Sequence, residues 1–156
     1  MQKTNAMRFL DKNNINYDVH QYQCDDGHID GLAVANKLNQ NPDEVFKTLV
    51  SIGTSRELYV FVIPVSKELS LKKAAKVSGE KKIEMLHVKD INKYTGYIRG
   101  GCSPLAMKKQ YRTFIDNSAK ELETIIFSGG KIGMQIEANP IEIAEIIKAE
   151  FADVTT

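Results

Sequence analysis

Apolar positions along the chain fall into two rhythms, one helical and one alternating, and they change places often. From Thr4 to Asn13, Ala6, Met7 and Leu10 share one helical face behind a threonine cap, and Asn13-Asn14 closes the segment. Tyr17 to Gln21 alternates like a strand. His28 to Leu38 predicts a second helix with Leu32, Ala33, Ala35 and Leu38 as its apolar stripe. Asn41-Pro42 combines a capping residue with a proline suited to the first helical position, which predicts one short turn. Val45–Ile52 and Leu58–Val65 are β-branched and aromatic runs around the polar turn Thr54-Ser55-Arg56-Glu57, the pattern of a buried hairpin.

The second half follows the same alternation. Ser70 caps a helix with Leu71, Ala74, Ala75 and Val77 as its apolar positions, and Gly79 stops it. Glu80–Met85 fits a short helix or a strand. Val88–Tyr94 predicts another short helix, ending at Gly96, and Gly100–Pro104 a loop. Arg112–Asp116 and Glu123–Phe127 read as strands. A glycine turn from Ser128 to Gly133 leads into a returning strand, Met134–Ala138. Asn139-Pro140 opens the last helix, with Ile141, Ala144, Ile147 and Phe151 expected on its apolar face. Strands and helices mix without regular alternation. That predicts an α+β fold on a mixed sheet, not a doubly wound parallel one. With 156 residues, no repeat and no Pro-rich linker, one domain spanning 1–156 is expected.

Composition narrows the class of protein. The chain is 42% hydrophobic and 26% charged, ordinary for a soluble domain. No apolar run reaches the roughly 20 residues that span a bilayer, and Met1–Asn5 lacks the apolar core of a secretory signal. A cytoplasmic protein with no membrane partner is expected. The two cysteines, Cys24 and Cys102, belong to no C-x-x-C pair, and His20, His28 and His87 lie in no ligand spacing. No structural zinc, other metal or cofactor is expected, and no disulfide in such a compartment. Net charge is only +1, yet it is unevenly spread. Residues 67–82 hold six lysines against Glu68 and Glu80, a local charge of +4, and Lys108, Lys109 and Arg112 follow. Asp25, Asp26 and Asp30 form an acidic stretch, and Glu142, Glu145, Glu150 and Asp153 another. Such runs are either solvated faces or a basic surface that accepts phosphates on one side.

Three segments carry more chemistry than a core needs: Val45-Phe46-Lys47-Thr48-Leu49, Gly100-Gly101-Cys102-Ser103-Pro104 and Ser128-Gly129-Gly130-Lys131. Lys47 in an apolar run is either an edge-strand charge or an anchor for a phosphate or developing oxyanion. The Gly100-Gly101 loop is either a tight turn or a source of backbone N–H groups, those of Gly101 and Cys102, for a carbonyl oxygen gaining charge. Ser128 could bond a ribose hydroxyl or an amine. The Ser128–Gly133 turn is not a P-loop, because no Ser or Thr follows the lysine. Cys102 has no neighbouring histidine base and reads better as a packed residue than a nucleophile. Cys24, next to Asp25 and Asp26, is a poorer nucleophile still.

Together these segments, with Val19-His20-Gln21-Tyr22, Leu71–Lys76, Lys81–Met85 and Thr95–Leu105, resemble the YbaK/EbsC family of trans-acting aminoacyl-tRNA deacylases over nearly the whole chain. The resemblance implies a central mixed, partly barrel-like sheet surrounded by helices, and hydrolysis of the ester joining a wrong amino acid to tRNA. Its lysine falls on Lys47, its glycine pair on Gly100 and Gly101, its serine on Ser128; these are the expected catalytic residues. Tyr22 is expected to meet the terminal adenosine, with Phe46, Ser103, Gly129 and Gly130 as further substrate contacts. A carboxylate of some relatives is Gln135 here, so no general base is expected at that position. In the cysteine-specific members the substrate's own thiol attacks its ester. The resemblance thus implies Cys-tRNA(Pro) as substrate, no cofactor, and prolyl-tRNA synthetase as a possible partner. An Ala-tRNA(Pro) deacylase and a non-catalytic aminoacyl-tRNA or nucleotide-binding module are the alternatives. Lys72, Lys73, Lys76, Lys81 and Lys82 are candidates for contact with the tRNA backbone.

Overall fold

The computed structural model describes residues 2–156. Its middle strand decides the architecture. The hairpin of β2 (Phe46–Gly53) and β3 (Leu58–Pro64) forms as the pattern predicts, with Val50 opposite Val60 and Leu49 opposite Phe61. Side chains on β3 alternate between two cores. Val60 and Val62 join Phe46, Ile115, Phe127 and Ile136 on one side; Tyr59, Phe61 and Ile63 join Ala74, Ile83 and Phe114 on the other. A strand buried on both faces has no polar side to alternate with, which explains its unbroken apolar run. Phe61 and Phe114 stack there with ring centroids 5.5 Å apart.

Around this hairpin runs a five-stranded sheet of order β4-β2-β3-β5-β8, with β4 at Ile83–Met85, β5 at Arg112–Asp116 and β8 at Glu150–Ala152. The β3–β5 and β5–β8 pairs are parallel, and the others are antiparallel. A second sheet of three antiparallel strands has the order β1-β7-β6, from β1 (Asp18–Gln21), β6 (Ile125–Ser128) and β7 (Met134–Ala138). The sheets meet where Val45 pairs in parallel with Ile126. The Ile126 N–H donates to Glu44 O at 3.0 Å, while the Val65 N–H donates to Val45 O at 2.7 Å. They wrap one shared core without closing into a barrel, so the fold is α+β on a mixed sheet, as expected.

Helix termini follow their local signals. Thr4 caps α1 (Asn5–Lys12), Ser70 caps α3 (Leu71–Ser78), and Asn139 caps α5 (Pro140–Ile147). Gly79 and Gly96 end α3 and α4 (Val88–Thr95) in the left-handed conformation. Three expectations need correction. The second helix, α2, spans Gly31–Lys37 and starts later than predicted, because Asp30 is its cap; it buries Val34 and Ala35 and leaves Leu32 51% exposed. α5 buries Ile143 rather than Ile141, and Phe151 belongs to β8. A 3-10 turn, Asn117–Glu121, and β8 itself were not legible in the pattern.

Candidate active site

A cleft of about 690 Å³ opens where the two sheets meet. One wall is the first half of β2. Phe46 is 2% exposed and forms part of both core and cleft, and Lys47 and Thr48 follow it. Among the described residues Lys47 forms no ion pair, although Asp30 and Glu68 line the same cleft. The Thr48 hydroxyl is buried and has no hydrogen-bond partner. Leaving such a group unpaired is costly unless something else binds it.

The opposite wall is built from the ends of β6 and β7. Ser128 and Gln135 are cross-strand partners and both line the cleft. Ser128 Oγ accepts from the Gly130 N–H at 3.1 Å, which leaves its own proton free to donate. Gln135 is only 5% exposed. Its Oε1 accepts from Gln40 Nε2 at 2.9 Å, while its amide NH₂ bonds to no other described residue. The pair fixes a donor, not a titrating base, on this wall.

The two glycine loops meet as the sequence suggested, but by interlocking. A Cβ at Gly101 would lie 3.0 Å from Ile132 N and 3.3 Å from Lys131 Cα, a tight fit that would require the facing backbone to give by a few tenths of an ångström. Gly100, at φ +87°, lines the cleft. The expectation for the Gly101 N–H is corrected: it donates to Ile98 O at 3.0 Å and cannot face a substrate. The Cys102 N–H bonds to no described backbone carbonyl. Ser103 is fully buried, and its Oγ accepts from the Leu105 N–H at 3.2 Å. Gly129 closes the β6–β7 turn by donating to Met134 O at 2.9 Å, and its carbonyl accepts from the Thr4 hydroxyl. Gly130, at φ +95°, packs on Tyr97. The cleft therefore gathers Lys47, Gly100, Ser128, Tyr22 and Phe46, whereas Gly101, Ser103, Gly129 and Gly130 shape the loops behind it.

Tyr22 stands at the rim. Lys37 Nζ sits 6.0 Å from its ring centroid and is held by Asp26 at 2.7 Å, so one face of the ring is taken. Cys102 also lines the cleft, but burial pushes its thiol up to about 11, only partly offset by a hydrogen bond with Thr95. It is a neutral thiol at physiological pH, which removes the basis for nucleophilic attack. His20 pairs with Glu137 at 2.8 Å on the three-stranded sheet. Asp30, Glu68 and Arg99 were missed as site residues. They reach the cleft through loops and helix ends whose meeting no local pattern encodes. Thr48 was part of a recognised segment, but its orphan hydroxyl was not visible.

An open cleft with a lone ammonium on one wall, hydroxyl and amide donors on the other, and a glycine loop between them suits a polar, electron-rich ester. The chain belongs to the aminoacyl-tRNA editing domain family, whose model matches residues 30–146. It is 46% identical over 155 residues, covering 99% of this chain and 94% of the relative, to a protein of Enterococcus faecalis (strain ATCC 700802 / V583) provisionally named a Cys-tRNA(Pro)/Cys-tRNA(Cys) deacylase, EbsC. Two crystal structures share the fold. One, provisionally described as a trans-editing enzyme for prolyl-tRNA synthetase, has TM-score 0.86 at 19% identity and is matched over 100% of this chain and 99% of its own. The other, a hypothetical protein, has TM-score 0.87 at 21% identity over 96% and 97%. Among the described residues no helix is long and apolar enough to cross a membrane.

Proposed function

We propose that this protein hydrolyses the ester of mischarged aminoacyl-tRNA, with Cys-tRNA(Pro) the preferred substrate, and that prolyl-tRNA synthetase supplies that tRNA in the cytoplasm. The observation that carries the proposal is the meeting of Lys47, Gly100 and Ser128 around one cleft with donors left unengaged. The 46% identity to a protein named for Cys-tRNA deacylation supports the choice of substrate. Editing of this kind answers a physical limit, because a small apolar difference gives a synthetase only about 1–3 kcal/mol of discrimination.

In the proposed step the sulfur of the substrate cysteine bonds to its own ester carbonyl carbon. The bond from that carbon to the ribose oxygen breaks, the thiol proton passes to the ribose oxygen, and the amino acid leaves as a cyclic thioester that water opens. The protein supplies position and charge rather than a nucleophile. Lys47 balances negative charge at sulfur or carbonyl oxygen; Ser128 and the Gln135 amide orient the ester. The second substrate, Ala-tRNA(Pro), has no thiol and would need an activated water. Gln135 stands where a titrating side chain would serve that route, which favours cysteine. Release of labelled amino acid from purified Cys-tRNA(Pro) and Ala-tRNA(Pro) tests both at once. Rapid release from Cys-tRNA(Pro) alone is expected. Release from neither, with tRNA binding intact, would leave a non-catalytic tRNA-binding module.

A further inference from the structure

A second concave surface lies at the far end of β2. Helix α3 and strand β4 frame a groove of about 480 Å³ carrying Lys72, Lys76, Lys81 and Lys82 over Leu71 and Ile83. Its one carboxylate, Glu80, is occupied by the Ser55 N–H at 3.0 Å and by the Ser55 and Tyr59 hydroxyls. Lys82 Nζ contacts Glu84 at 3.1 Å. Lys72, Lys76 and Lys81 form no ion pair among the described residues. Lys73 differs from them: it bonds Asp153 and the Thr155 carbonyl, outside the groove.

This arrangement works against stability. Lys72 and Lys76 are one turn apart on α3, where like charges repel. Lys72 also stands in the first turn of α3, which holds no acidic residue although the helix dipole favours one there. A fold that tolerates two such local conflicts in one groove points to a ligand that resolves them. The spacing fits a polyanion: side chains one helical turn apart, about 5–6 Å, match successive phosphates of a nucleic-acid strand. The charges are lysines throughout, point charges suited to backbone rather than base contact.

The groove is also placed to share a ligand with the cleft. β2 runs from the cleft at Lys47 to its pairing with β4 at Gly53, six residues or roughly 20 Å of extended chain. Ile63, opposite Lys47, belongs to the same core cluster as Ala74 of α3, so the Lys47 side of β2 and the groove share one face of the sheet, while Phe46 turns to the other. We propose that the α3–β4 groove binds the phosphate backbone of a double-stranded RNA stem, that of the tRNA whose aminoacylated end enters the cleft. The identity of that RNA rests on the deacylase function proposed above.

Binding of labelled, uncharged tRNA, followed by fluorescence anisotropy between low and moderate salt, tests the groove without turnover. The variant Lys72→Gln/Lys76→Gln/Lys81→Gln is expected to raise Kd at least tenfold at low salt and to make log Kd against log salt shallower by about 2–3, near one per lost phosphate contact. In deacylation it should raise KM for charged tRNA and leave kcat unchanged, with a cysteinyl-adenosine ester turned over as by the parent. A parental Kd and salt slope would overturn the proposal, as would an equal loss in the control Lys108→Gln/Lys109→Gln. Failure of the parent to release amino acid would overturn the deacylase function while leaving the binding result to decide the groove.

Discussion

The two halves of β2 obey different rules. From Val50 to Gly53 every polar group has a use: the Ser51 hydroxyl, fully buried, donates to Tyr59 O at 3.1 Å, and β3 and β4 pair on either side. From Phe46 to Thr48 the same strand holds an ammonium with no carboxylate partner among the described residues and a buried hydroxyl with no acceptor or donor. One half is closed by the protein itself; the other waits for a partner. A strand can therefore be scaffold and active-site wall at once, and unspent hydrogen-bonding capacity marks where the role changes.

Substitutions in each half should separate activity from stability. Lys47→Ala is expected to have the largest effect, a loss of kcat on the order of 100-fold or more, the usual effect of removing one group that stabilises developing charge. Its thermal unfolding midpoint should match the parent's. An active Lys47→Ala protein would remove the central element of the site. Ser51→Ala should do the reverse, costing about 1 kcal/mol for a lost buried hydrogen bond, visible in urea unfolding, with turnover per folded molecule unchanged. Thr48→Val is expected to leave stability equal or slightly raised, since it replaces an unsatisfied hydroxyl with a methyl, while lowering turnover several-fold. A marked loss of stability would show the hydroxyl to be bonded within the fold.

Cys102→Ser should change turnover least, within about twofold, since a thiol at about 11 carries no thiolate at neutral pH. Its signature lies in alkali. The folded thiol is held above its ordinary 9.0, so the unfolded chain loses its proton first and stability declines as pH rises from about 9 to 11. Serine does not titrate there, so the variant's alkaline decline should be shallower than the parent's. The acid limb should be governed elsewhere. Glu137 is held below its ordinary value, first by the Thr124 hydroxyl and then by His20. That stabilisation is present above the unfolded pKa and disappears as pH falls through the folded one. Thr124→Val should weaken it.

What could be read in advance follows from how local each signal is. Caps such as Ser70, Asn139 and Gly79 act within one turn of chain, and all appear where the residues place them. The hairpin was equally plain, because both strands and their turn are contiguous. Which side of a short apolar helix is buried is not a local matter: α5 holds Ile141, Ile143, Ala144, Ile146 and Ile147 in eight residues, and only its docking chooses Ile143 over Ile141. β8 is three residues paired in parallel with a distant strand, and nothing in Glu150–Ala152 announces it. In and behind the cleft, Lys47 and the glycine pairs stood out as odd residues in their surroundings. Asp30 and Glu68 did not, being ordinary residues placed by folding. The Gly101 N–H is taken by Ile98 only three residues earlier, a local turn bond that a glycine pair permits without dictating.

The Val45–Ile126 bridge has a consequence in time. It joins stretches far apart in sequence, and contacts of that kind are late to form when a chain refolds. A refolding molecule should regain the backbone signal of its central hairpin before it regains turnover, because neither sheet alone encloses an ester. Recovery of hydrolysis then serves as a clock for the final docking event.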